Sequence, residues 1–228
     1  MTAPYDTGER TRRVRVAFAW VPLLVAAACA STSGRAAIAT PAGVSPSASF
    51  QALYESGEDR EIVNRMAARG AGAAAPADRW FAAQSKLRLG LRDDALSDLT
   101  ALSQAQDDAA MQVAAQLAIG RLTNDETALG EARANAGAYP GNVFVQYELG
   151  LSYVVASDFQ SAARAFDLCV DTAPMFAYAY YQSALAYQRL NRPDVMANRL
   201  DRFARLAPNA PERPQVDSIL RTLAAGRQ

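Results

Sequence analysis

The sequence predicts an all-α fold built from stacked antiparallel helix pairs, and three observations carry that prediction. A register of Leu149, Gly150, Tyr153, Ala162, Phe166 and Pro174 returns 34 residues later as Ser183, Ala184, Tyr187, Met196, Leu200 and Pro208. Prolines stand at the same interval at Pro140, Pro174 and Pro208, where each ends a helix because proline cannot continue the hydrogen-bond ladder. Small residues at Gly150, Ala162 and Cys169 let two helices approach closely, with Tyr153 and Phe166 filling the seam. A pair packed this way keeps one apolar side, which only the next pair can cover.

The first clear pair occupies 143–176. Val155 and Ala156 lead into Ser157, which the local sequence marks as an N-cap with Gln160 completing a Ser-x-x-Gln capping box. In the pair at 177–210, Asn191 takes the same place before Arg192 and Pro193. Counting back, Gln112, Ala115, Gln116, Ile119, Ala128 and Ala132 fill the slots of a degenerate copy in which Gln116 breaks the size pattern. Earlier still, Trp80, Ala83, Gln84 and Leu87 have first-helix spacing. Ala95, Leu99 and Leu102 have second-helix spacing, with the turn shortened by one residue. Phe50 to Tyr54 and Ile62 to Met66, parted by Gly57 and Glu58, suggest one more hairpin without fixing its register. At the far end, 211–224 places Val216, Ile219, Leu220 and Leu223 on one helical face, as a capping helix requires.

The spacing W-x2-L-G-x2-Y, A-x3-F, P, with Gln146 in place of the Trp, resembles the tetratricopeptide repeat. The clear resemblance spans Asn142 to Pro208, and over 75–142 it rests on spacing alone. It implies a right-handed superhelical solenoid of about 10–11 helices over 49–228. The alternative is an Ala-rich helical bundle without a true repeat. The resemblance further implies an inner groove lined by the first helix of each pair. On this sequence that strip is Phe144, Tyr147, Leu151, Val154 and Val155, then Tyr178, Tyr181, Leu185, Gln188 and Arg189. An aromatic and aliphatic strip suits an apolar or amphipathic peptide, with Tyr hydroxyls and Arg189 fixing its orientation. The same aromatics are also what packing between adjacent hairpins would use.

The N-terminus reads separately. Arg10, Arg12, Arg13 and Arg15 precede an apolar run from Val16 to Ala28, interrupted by Pro22 and followed by Cys29. Thirteen residues fall short of the roughly 20 that span a bilayer, so 1–28 reads as a signal peptide. Val25-Ala26-Ala27-Ala28-Cys29 resembles the bacterial lipoprotein box, which implies lipidation at Cys29. Ala30 and Ser31 after the cysteine, with no Asp, resemble an outer-membrane address facing the periplasm. Ordinary cleavage after Ala28 or Ala30, giving a secreted protein, is the competing reading, and an uncleaved anchor a third. The stretch 29–48, rich in Ser, Ala, Pro, Thr and Gly, reads as a tether.

Composition narrows the chemistry. The chain has 23 basic and 23 acidic residues, and the first 28 hold four and two of them, so the remainder carries a net charge of minus two. That balance does not recommend nucleic acid. With no histidine, neither a His-activated nucleophile nor a His metal site is available, and no Gly-rich phosphate loop appears. Asp93-Asp94 and Asp107-Asp108 read as helix caps and dipole partners, with metal binding the lesser alternative. With Cys29 lipidated, Cys169 has no disulfide partner, and its small-residue slot predicts a buried, inert thiol. The expectation is a non-enzymatic, cofactor-free and metal-free adaptor that holds a protein or peptide partner and meets the membrane through lipid. Envelope lipoproteins of this pattern serve pilus, secretion or cell-wall assembly. A solenoid pairing with itself as a homo-oligomer, or a hydrolase using carboxylates that look like caps, are the alternatives.

Overall fold

The computed structural model describes residues 48–225, so the signal segment, Cys29 and the tether up to residue 47 lie outside the described residues. Among the described residues eleven α-helices follow one another with no strand. They are α1 Phe50–Glu55, α2 Asp59–Arg69, α3 Pro76–Arg88, α4 Arg92–Gln104, α5 Ala109–Thr123, α6 Glu126–Ala136, α7 Val143–Val155, α8 Phe159–Thr172, α9 Ala177–Arg189, α10 Pro193–Leu206 and α11 Arg213–Ala225. A single 3₁₀ turn, Ala71–Ala73, lies between α2 and α3. Each helix packs on its chain neighbours, and odd-numbered helices touch across the pairs: α1 on α3, α3 on α5, α5 on α7 and α7 on α9. This is the all-α solenoid of helix pairs that the 34-residue register predicts.

The turn inside each pair reveals the true register. Gly57, Gly90, Asn124, Ser157 and Asn191 all have positive φ, between 55° and 80°, and they stand 33 or 34 residues apart. In every case the following N–H reaches back to close the first helix: Glu58 to Leu53 O, Leu91 to Lys86 O, Asp125 to Gly120 O, Asp158 to Tyr153 O and Arg192 to Tyr187 O, at 2.9–3.1 Å. These are the 6→1 bonds of a Schellman cap, whose penultimate residue must be left-handed. That requirement moves the expected N-caps by one residue. Ser157 is the left-handed residue, and the cap of α8 is Asp158, whose side chain accepts the Ser161 N–H at 3.0 Å. Likewise Asn191 is left-handed, and α10 starts behind Arg192 with Pro193 at its first position and no side-chain cap. Elsewhere the acidic caps fall as expected, with Asp108 accepting from the Met111 N–H and Asp93 and Asp94 in the first turn of α4.

A serine held at φ 59° bears a cost that glycine escapes. Ser157→Gly is therefore expected to stabilise the protein by about 0.5 kcal/mol, the relief of a left-handed side chain less the extra freedom of the unfolded chain. Thermal unfolding checks it: a lower melting temperature for Ser157→Gly would mean that this turn is not under strain.

Counted from these turns, the first-helix register before Pro140 slips by one residue relative to the sequence reading. The turn after α3 is three residues long, like the turn after α7, so nothing is shortened there. The small slot of α3 is the fully buried Ala83, and Gln116 is exposed rather than a misfit in the core. The third pair also inverts the size pattern. In α7 and α8, Gly150 receives the Phe166 ring so closely that a Cβ would lie 2.5 Å from it. In α5 and α6 the close approach is at Gly120, where a Cβ would lie 3.1 Å from the Leu129 backbone.

One continuous core runs from Phe50 in α1 to Val216 in α11, with a smaller one of Val113, Ala114, Leu117, Leu129, Ala132, Ala136 and Val145 between α5, α6 and α7. Helix α11 closes the far end with Val216 buried and Ile219, Leu220 and Leu223 half-buried against that core. Cys169 is buried in its small slot, where burial pushes the thiol up to about 12 and keeps it protonated.

Candidate functional site

The inner faces of α7 and α9 carry the strip that the sequence singles out, and the structure divides it by depth. Tyr147 and Tyr178 are buried, Phe144, Leu151, Val154, Tyr181 and Leu185 are half-buried, and Val155, Gln188 and Arg189 are exposed. Within the strip the deepest positions, Tyr147 and Tyr178, belong to the core, and the last positions of each helix face outward. Tyr147 packs edge-on to Trp80 at 5.6 Å and lies 5.1 Å from Phe176, while Phe144 lies 5.0 Å from Trp80. Tyr178 lies 5.0 Å from Tyr54 and 5.6 Å from Phe203. These rings gain more from covering one another than from an empty groove, since each large aromatic removes 150–250 Å² from water.

The inner face closes because α3 meets α7 directly. The fully buried Glu148 accepts the Trp80 Nε1–H at 3.1 Å and the Gln84 Nε2–H at 2.6 Å, and its other oxygen accepts from Arg121 at 2.9 Å. Helix α5 supplies Ala115 and Ala118 to the same core, both fully buried, and side chains this small leave room for α3 and α7 to meet.

The first hairpin then covers the early part of α9. Glu55 accepts the Ala177 N–H at 2.9 Å, at the first residue of a helix whose own N-cap, Phe176, offers no side-chain acceptor. Gln51 donates to Met175 O at 3.3 Å and to Glu55 at 3.0 Å. The Arg88 guanidinium lies 3.6 Å over the Tyr54 ring and donates to Asp59, to Tyr54 O and to the Tyr178 hydroxyl, which donates in turn to Glu212. Gly57 meets Pro211, with a Cβ there placed 2.6 Å from the Pro211 ring. Burial raises the Glu55 carboxyl above its ordinary value despite these two donors, and it pushes the Tyr54 phenol up to about 12. Apart from Gln51 and Glu55, none of these partners is close in sequence, and none sits in a repeat slot that spacing marks as polar. Glu55, Arg88 and Glu148 are therefore the residues that reading the strip alone passes over.

What stays accessible is apolar with a cationic rim: Leu151, Val154 and Val155 on α7, then Leu185, Gln188 and Arg189 on α9, the last stacked 4.6 Å over Phe159. A separate cleft of about 270 Å³ lies between α2, α3 and α4, lined by Val63, Met66, Ala67 and Arg79 and by the Lys86–Asp98 ion pair. Among the described residues no cluster of three His, Cys, Asp or Glu is placed to hold a metal, and no helix is long and apolar enough to cross a membrane. An apolar strip ending in a guanidinium can hold a peptide by burial and orient it by hydrogen bonding.

Comparison with known proteins adds little. No family model and no curated protein matches the sequence. Among the solved structures that overlap it, three do so loosely. One, of MamA AMB-1, has 16% identity, covers 71% of this chain and 89% of that one, and gives a TM-score of 0.40. Two MamA mutants give 16% identity with a TM-score of 0.39, over 69% of this chain and 92% of theirs, and 17% with 0.38, over 73% and 93%. At such scores the likeness bears on no functional question, and function rests on this chain's own residues.

Proposed function

We propose that the protein is a non-enzymatic adaptor that holds an apolar or amphipathic segment of a partner protein against the open ends of α7 and α9. It would stand at a bacterial envelope, tethered through lipid on Cys29 and facing the periplasm. There it would serve assembly of a pilus, secretion or cell-wall complex. The observation that carries the reading is the open strip itself: Val155 is exposed and Leu151, Val154 and Leu185 are half-buried on α7 and α9, with the exposed Arg189 at the edge. Lone exposed apolar residues need no explanation, but a set on two packed neighbouring helices does.

The test is affinity capture from the native host with Leu151→Glu plus Leu185→Glu, against Asn198→Glu on the exposed face of α10 as control. Loss of a partner that Asn198→Glu retains is the expected result. An unchanged partner set, with helicity and melting temperature intact, removes the strip from the account. Labelling with palmitate, lost in Cys29→Ser, checks the anchor independently.

A further inference from the structure

The seat occupied by α1 has the features of a helix-binding site, and α1 those of its internal occupant. We propose that this seat, made by Phe81 and Arg88 of α3 and by Ala177 and Tyr178 of α9, accepts a partner's amphipathic helix carrying the α1 pattern. That pattern is an aromatic, an aliphatic three positions on, then an aromatic and a glutamate, as in Phe50, Leu53, Tyr54 and Glu55. The inference rests on the reading of the inner strip as a protein-binding face and extends it to the covered half.

Four observations carry it. Helix α1 has six residues, too few to hold helical form alone, so the seat imposes its conformation. Its apolar side is nonetheless buried almost completely, with Phe50, Leu53 and Tyr54 each no more than 5% exposed. Recognition is specific at both polar points: Glu55 takes the Ala177 N–H that no cap of α9 satisfies, and Tyr54 is held between the Arg88 guanidinium at 3.6 Å and the Tyr178 ring at 5.0 Å. Finally, the hairpin α1–α2 joins the rest through Gly70–Ala75, where Gly70, Gly72, Ala73 and Ala75 are exposed, and neither glycine has a neighbour within 4 Å of a Cβ built on it. The connection itself has little packing to lose, while α2 stays held on α3 by the buried Ile62 and Met66 and by the Asp59–Arg88 ion pair, so α1 is the part free to leave. An incoming helix with the same four side chains satisfies the same partners and displaces α1, and a tethered occupant competes at an effective concentration of order mM.

The experiment uses the full chain and a fluorescein-labelled synthetic peptide with the sequence of residues 48–57, read by anisotropy. Tyr54→Ala in the protein weakens the internal occupant, so this variant is expected to bind the peptide at least ten-fold tighter than wild type. Replacing the peptide's Tyr by Ala, or its Glu by Gln, is expected to abolish that gain. Peptide affinity equal in wild type and a folded Tyr54→Ala, or a gain indifferent to the peptide's Tyr and Glu, overturns the proposal. Should Tyr54→Ala unfold, amide exchange in the wild-type chain decides. Amides of α1 and Ala177 exchanging at least ten-fold faster than those in the middle of α9 show that the seat opens on its own. Exchange of both at one common rate overturns the proposal. The capture experiment on Leu151 and Leu185 reads the open ends alone, so either result can fail without the other.

Discussion

Replacing Glu148 with alanine is expected to lower the melting temperature by about 10 °C, the largest loss anticipated for any single polar substitution in the chain. Glu148 is fully buried and carries three hydrogen bonds from three side chains on two other helices: Trp80 and Gln84 on α3, and Arg121 on α5. Removing the carboxylate leaves the Trp80 indole N–H and a largely buried Arg121 with nothing to bind, and orphaning one partner of a buried pair costs about 3–5 kcal/mol. At roughly 2–4 °C per kcal/mol for a domain of this size, the shift follows. Glu148→Gln separates charge from shape. Its amide oxygen still accepts from Trp80 and Gln84, but its NH₂ faces the Arg121 donors, so it should fall between wild type and Glu148→Ala. Equal melting temperatures for Glu148→Gln and wild type would show that Arg121 contributes nothing to the junction. Glu148→Leu adds a check on the physics, since an apolar replacement still strands Arg121, whereas Glu148→Leu with Arg121→Met removes both charges and should recover most of the loss.

That junction also shows where sequence reading stops. The helix pairs were legible because their cause is local: proline after a helix, small residues facing large ones at fixed spacing, an apolar face every turn. The left-handed turn residues are equally local, but glycine, asparagine and serine serve alike, so their common role emerges only from the backbone. Steps of 33 and 34 residues alternate along those turns, so a fixed period of 34 counted back from Gly150 lands on Gln116 where the turns place Leu117, and spacing alone sets the α3 slot one residue late, at Gln84 instead of Ala83. The candidate site was legible in position but not in depth. Phe144, Tyr147 and Tyr178 have the spacing of an inner strip whether that strip is open or closed. What closes it are pairs such as Glu55 with Ala177 and Trp80 with Glu148, separated by 122 and 68 residues, and no periodic pattern encodes them.

Gly150→Ala is expected to destabilise the protein by about 2–3 kcal/mol, although the same change on an exposed helix face would stabilise it by up to about 1 kcal/mol. The sign is decided by space. A Cβ at Gly150 would sit 2.5 Å from Cε1 and 2.7 Å from Cδ1 and Cζ of Phe166. The Phe166 ring is itself fully buried beside Tyr147, 5.9 Å away, so it has nowhere to retreat. Relief must therefore come from spreading α7 and α8, which loosens their packing and with it the seat of Tyr147. A double-mutant cycle makes the cause measurable. Phe166→Leu alone leaves a partial cavity and should cost about 1–2 kcal/mol, whereas in the Gly150→Ala background the smaller side chain vacates the space the new methyl needs. The double variant should accordingly be more stable than the sum of the two single losses by at least about 1 kcal/mol, a coupling expected only of residues in contact. Additive losses would mean that the helices separate whatever occupies position 166, and that the small residue at Gly150 is set by backbone approach rather than by the ring.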